Sequence, residues 1–200
     1  MEKEKSFALI RMEMFSDAVL AVIITIMALE LKVPEIVGNF HADVFIHLIP
    51  KLASYAVAFA FVGVSWIQHL LALNDVERAT LKLFWLNLLF LFFASLIPFT
   101  TAFLGEHPSL PLAVAMWGTT AGLTAFAGHL VYAEAHKERP YERWSSRRSF
   151  FSVASAVACV VAAFLSVYLA WLLLFAGFLM TVLPIPLARR VFSRKRDFAS

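Results

Sequence analysis

From Ser149 to Ala188 the chain runs 40 residues without a charged side chain. A bilayer-spanning helix needs about 20 apolar residues, so this run has the length of two spans rather than one. Ser166-Val167-Tyr168 lies near its middle, where small and interfacial side chains suit a tight turn. Dividing the run there predicts six spans: 7–31, 44–73, 81–104, 110–133, 149–166 and 168–188. The expected fold class is therefore all-α, an integral membrane six-helix bundle forming one domain over residues 1–200. A composition of 61% hydrophobic and 16% charged residues fits that class. The charged opening Met1-Glu2-Lys3-Glu4-Lys5 is not followed by a short apolar run with a cleavage site, so the first helix is expected to stay in place. With Cys159 as its one cysteine, the chain makes no intrachain disulfide and no cysteine zinc cluster.

The basic residues support the division. Six spans put the N-terminus, the second and fourth connections and the C-terminus on one side, together with 15 of the 17 lysines and arginines. Only Lys32 and Lys51 fall opposite. By the positive-inside rule both termini are expected in the cytoplasm, with the protein in the cell inner (plasma) membrane. The net charge of +3 implies no nucleic-acid partner. The basic residues cluster at span ends, where they fix topology and face anionic lipid headgroups, and Arg194-Lys195-Arg196 reads first as such an anchor.

Within this apolar framework one residue stands out. Arg11-Met12-Glu13-Met14-Phe15-Ser16-Asp17 leads directly into the apolar stretch Ala18–Leu29, which places the Asp17 carboxylate inside the first span. Intramembrane carboxylates are costly and mark a functional site or a partnered structural knot. Three residues at similar depth offer hydrogen bonds to it: Trp66 and His69 on helix 2 and Asn87 on helix 3, with Ser16 able to join. On an ideal helix Val22, Ile26 and Leu29 share one stripe with Thr25 at its edge, and Asp17 falls roughly 140° from Val22. Helix 1 thus presents a polar side and an apolar stripe with one hydroxyl. Apolar stripes are common in membrane helices and by themselves mean lipid contact or packing. The polar set reads as a static knot, with a proton relay through Asp17 and His69 as its rival.

Three segments in order resemble the transmembrane protein 175 family, the lysosomal potassium channels and their prokaryotic relatives. Arg11-x-x-x-Phe15-Ser16-Asp17-Ala18-Val19 is similar to the family's R-x-x-x-F-S-D signature, and Thr25 to Pro34 is similar to its helix 1 exit. Trp66-Ile67-Gln68-His69 resembles its tryptophan–histidine segment, and Trp85-Leu86-Asn87 through Ile97-Pro98-Phe99 its helix 3. The resemblance covers residues 11–104; the last three helices agree in number and hydropathy only. It implies a homotetramer of single six-helix repeats in which helix 1 of each subunit lines a central cation pore. There is no TVGYG carbonyl filter in that family, nor in this sequence. The resemblance puts the apolar constriction on Val22, Ile26 and Leu29, and a position linked to potassium preference on Thr25. It also assigns the signature residues Arg11, Phe15, Ser16, Asp17, Trp66, His69, Trp85 and Asn87 to holding helix 1 against helices 2 and 3. Two departures stand out: Val22 replaces a frequent isoleucine, which widens the ring, and Leu70 replaces a second histidine, leaving His69 alone in that segment.

The leading expectation is a potassium-permeable, potassium-preferring cation channel, with monovalent cations as permeant species and no cofactor. A proton-coupled secondary transporter working through Asp17 and His69 is the alternative, although neither inverted repeats nor an interrupted helix 1 can be read. Haem on His69 and His129 is a third, weak reading. The remaining histidines, His41, His47, His107 and His136, lie in loops or at span ends and are expected to be solvated. Glu30 and Glu35 lie near the outer mouth, and Pro98 is expected to kink helix 3. No catalytic triad, P-loop or metal cluster can be read, so the chain is expected to be a non-enzyme.

Overall fold

The structure is a computed structural model that describes residues 6–31, 43–74, 76–137, 154 and 156–182. The described residues are all-helical, with no strand. The helices are α1 (Phe7–Leu29), α2 (Asp43–Leu73), α3 (Leu81–Ser95), α4 (Ile97–Glu106), α5 (Pro111–Ala135), α6 (Ala156–Leu165) and α7 (Val167–Val182). Among the described residues, three stretches are long and apolar enough to cross a membrane: Phe7–Leu29, Leu48–Leu73 and Leu81–Glu106. The third stretch joins α3 and α4, so the described residues form six helical rods.

Local chemistry sets the ends and breaks. Ser6 caps α1, its hydroxyl accepting from the Leu9 amide, and Thr80 caps α3 in the same way through Leu83. The Ser6 amide also donates to the Glu77 carbonyl at 2.8 Å, tying the start of α1 to the connection before α3. The third rod is interrupted at Leu96, two residues before Pro98, which lies in the first turn of α4. Proline has no amide hydrogen and its ring crowds the preceding turn, so α3 stops and α4 restarts. At Ser166 the break is sharper. The Cys159 thiol lies 3.8 Å from the Ala170 carbonyl. On a continuous helix eleven residues would separate them by about 16 Å, so the chain doubles back between α6 and α7. Of the charge-free run, residues 149–153, 155 and 183–188 lie outside the described residues, as do Glu35, His41, Pro184 and Pro186.

α5 is the central post. It packs on α2, α3, α4 and α7, and buries Ala113, Trp117, Gly118, Ala121, Gly122, Ala127 and Val131 around its circumference. Inside a bilayer, apolar side chains gain little by leaving lipid for one another, so close helix approach relies on small residues and hydrogen bonds. Both occur here. A Cβ added at Gly122 would sit 2.5 Å from the Ala156 side chain, and one at Gly105 would sit 2.7 Å from the Ser54 hydroxyl. The Trp117 indole donates to the Thr101 hydroxyl at 3.0 Å, fixing α5 to α4. At the polar ends, Lys82 and Lys137 both reach Glu134, and Lys51 reaches Glu106 at 3.6 Å.

Gly122→Leu is expected to force α5 and α6 apart and cost about 1–3 kcal/mol, the usual range for overpacking. Gly63, with open space around it, should accept alanine without loss. Thermal unfolding of the two variants in detergent checks this contrast.

Candidate functional site

α1 packs on α2, α3 and α4 through Leu9, Met12, Ser16, Leu20, Ile23 and Met27, spaced three and four residues apart. This row sets the helix's rotation, and every other side chain on α1 takes its position from it. Ser16 is the one polar member, and it is fully enclosed at 0% exposure. Its hydroxyl donates to the Met12 carbonyl at 2.8 Å and accepts from the Asn87 amide nitrogen at 2.9 Å. The Asn87 carbonyl oxygen meets His69 Nε2 at 2.7 Å. With Asn87 oriented toward Ser16 in this way, its oxygen needs a donor, which assigns the hydrogen of His69 to Nε2. The His69 ring also stacks on Phe90, 5.3 Å between centroids at 13°. Three helices thus meet at one enclosed clasp: Ser16 from α1, His69 from α2 and Asn87 from α3.

Asp17 is not part of this clasp. It lies on the exposed edge of α1 and accepts from the Trp66 indole at 2.8 Å. Of its three expected partners, only Trp66 reaches it. His69 and Asn87 bond each other and Ser16 instead, because the buried row places Ser16 between α2 and α3 and turns Asp17 about 100° away. Arg11, Phe15 and Trp85 are exposed, and Arg11 does not share the Asp17 side of the helix. His69, one of the two histidines of the haem reading, has its Nε2 engaged by Asn87 and its ring stacked on Phe90. His107 is exposed against Phe103. His136, expected in solvent, is half-buried and stacks on Tyr132 with centroids 4.2 Å apart.

On the opposite flank of α1 the apolar stripe is uncovered. Val22 is 53%, Ile26 41% and Leu29 78% exposed. Thr25 is exposed too, and its hydroxyl donates to the Val22 carbonyl at 2.8 Å, which leaves its oxygen able to accept. Beside the stripe runs a groove of about 540 Å³ between α1 and α4, walled by Val22, Ile26, Phe99 and Ala102 and ending at Glu30. Trp85, Phe92 and Phe99 continue the exposed apolar surface along α3 and α4. Sequence reasoning did not pick out this second wall; its signal was the spacing of Trp85, Phe92 and Phe99 by seven residues, which keeps one face of the rod apolar.

These features define a class: an integral membrane helical bundle whose first helix is clasped by polar bonds on its packed side and bare on one apolar flank. Residues 11–98, the segment that carries the clasp, match the family model described as Endosomal/lysosomal potassium channel TMEM175. A protein of Chryseobacterium sp. named a potassium channel is 38% identical over 117 residues, which cover 58% of this chain and 59% of that protein. The human protein named Endosomal/lysosomal proton channel TMEM175 is 30% identical over 106 residues, covering 52% of this chain and 21% of that protein. The chain thus spans about half the length of the curated bacterial relatives it matches, and about a fifth of the mammalian ones. In three dimensions it resembles the crystal structure of a lysosomal potassium-selective channel TMEM175 homolog from Chamaesiphon minutus, with TM-score 0.79 and 25% identity, covering 89% of this chain and 98% of that one. The match to the TMEM175 family model thus lies in the first three rods, and the likeness to the solved TMEM175 homolog extends over most of the chain.

Asn87→Ala would leave the enclosed His69 and Ser16 without their shared partner, at a cost of about 1–3 kcal/mol for each stranded group. Asp17→Ala breaks a bond at an exposed edge and should cost about 1 kcal/mol. A thermal shift clearly larger for Asn87→Ala is the expected result, read by unfolding of the purified protein.

Proposed function

We propose that this protein is a potassium-permeable, potassium-preferring cation channel. In this reading it works as a homotetramer in the cell inner (plasma) membrane with both termini in the cytoplasm, and helix 1 of each subunit lines a central pore. The observation that carries the reading is the flank of α1 bearing Val22, Ile26 and Leu29, which the subunit's own fold leaves bare at the depth of the membrane. It is supported by the bacterial relatives named potassium channels and by the potassium-selective channel whose fold the chain resembles. Four copies of the stripe around an axis would form rings of branched side chains. Such a constriction stops ions by dewetting, and it opens when the helix turns or splays. Apolar groups cannot replace an ion's water shell, so selectivity falls to the exposed hydroxyl of Thr25. Val22, shorter than isoleucine, makes the first ring the wider one. The enclosed Ser16–Asn87–His69 clasp holds the rotation of α1 and so the aim of the stripe.

The alternative is a proton-coupled transporter using Asp17 and His69, and the mammalian relatives named proton channels give proton movement a specific motive. The two residues have separate partners, Trp66 for Asp17 and Asn87 for His69, which suits a static role better than a relay.

Ile26→Asn should wet the constriction and raise basal potassium flux about tenfold at equal protein density; unchanged flux would remove Ile26 from the gate. Thr25→Val should lower the potassium-over-sodium preference, seen as a shift of the bi-ionic reversal potential toward zero. An unaltered potential would release Thr25 from that role.

A further inference from the structure

A second cavity lies between α1, α2 and α4, bounded by helices of a single copy of the chain. Met27, from the packed row of α1, forms one wall, so the cavity is on the packed side of that helix and not on the bare flank of Val22 and Ile26. Its lining is unusually polar for the interior of an apolar bundle. Glu30 and Glu106 border it where the helices reach the surface, and Ser54 and Thr101 border it at 2% and 5% exposure. Gly105 leaves room beside the Ser54 hydroxyl, which any larger residue there would strike. The space open to the centre of a water molecule is about 20 Å³, and one water needs about 10–15 Å³.

The two enclosed hydroxyls have complementary bonding capacity to spare. Ser54 donates to the Lys51 carbonyl at 3.0 Å, which leaves its oxygen able to accept. Thr101 accepts from the Trp117 indole at 3.0 Å, and among the described residues its own hydrogen meets no acceptor. We propose that this cavity holds one ordered water, the middle link of a hydrogen-bond chain across three helices. Trp117 of α5 donates to Thr101 of α4, Thr101 to the water, the water to Ser54 of α2, and Ser54 to the Lys51 carbonyl. Every donor points the same way, and the chain ends on a group that can only accept. Such aligned chains strengthen each of their bonds. The water's second hydrogen serves the Glu106 carboxylate, and the Tyr55 hydroxyl, which has no bond among the described residues, donates to it. Four partners complete the set a buried water takes. The cavity is too small for an organic ligand. A bare cation is opposed by the Lys51 ammonium, which borders the cavity 3.6 Å from Glu106. The bridge fastens α4, the half-rod beyond the break at Leu96, to α2 and α5 at a depth where apolar contact alone gives little. It lies within one copy, so it stands or falls separately from the channel reading.

The test is X-ray radiolytic footprinting of the purified full chain in phosphatidylcholine nanodiscs, read by mass spectrometry. Irradiated water forms hydroxyl radicals in place, so an enclosed side chain is oxidised only beside a bound water. Met27 and Met12 are matched probes on one helix, 2% and 3% exposed, and only Met27 lines the cavity. Met27 should oxidise about tenfold faster than Met12 if a water is held beside it. Ser54→Ala, which removes an acceptor without filling the cavity, should bring Met27 down to the Met12 rate. Thr101→Val should do the same while Thr101→Ser keeps the fast rate, and this pair decides if Ser54→Ala fails to fold by thermal unfolding. Equal rates for Met27 and Met12 in the unaltered chain would overturn the proposal. So would fast Met27 oxidation that persists in Ser54→Ala and Thr101→Val, the mark of bulk solvent entering the cavity.

Discussion

Asn87 is the residue on which the arrangement of helix 1 depends. One amide joins the Ser16 hydroxyl of α1 to the His69 ring of α2, with 1% of Asn87 exposed. In the bilayer interior no water replaces a lost partner, so losing Asn87 would leave His69 Nε2 unpaired and Ser16 with only its Met12 bond. The clasp also has a direction. Apolar contacts such as Leu20, Ile23 and Met27 tolerate small rotations of α1, whereas the bonds at Ser16 do not. Fixing Ser16 inward sends Asp17 to one edge and Val22, Ile26 and Leu29 to the other.

That coupling links fold to proposed function. A hydrophobic constriction depends on the aim of a few side chains, because turning a helix by one residue moves each of them about 100°. The polar clasp lies at the level of Ser16, and the bare stripe begins at Val22, more than a turn and a half further along. The outer part of α1 is held by apolar contacts alone on its packed side and faces the α1–α4 groove on the other. The anchored part and the part proposed to gate are therefore different stretches of one continuous helix.

Much of this was legible from residue chemistry. The charge-free run from Ser149 required a reversal, and Ser166 is where the chain turns back; Pro98 announced the break at Leu96. The identity of the polar participants on helices 1 to 3 was legible as well, since few polar side chains occur at that depth. Their wiring was not. Asp17 drew attention as the costliest group, but the modest Ser16 and Asn87 occupy the enclosed centre and Asp17 stays at the edge with Trp66. Which neighbour a helical residue meets depends on how three helices are rotated against one another. That is a property of their packing, which the periodicity of any one of them does not contain. The α1–α4 groove was hidden for the same reason, being made by two helices that are distant in sequence.

The measurement that bears most directly on the central claim is ion flux through the purified protein in liposomes. Potassium is loaded inside against an impermeant cation outside, and bi-ionic potassium/sodium reversal potentials are recorded in parallel. A channel built on the bare stripe of helix 1 predicts a passive current that reverses at a potential favouring potassium. No passive flux, with uptake appearing only when a proton gradient is imposed, would contradict it and make Asp17 and His69 the working residues.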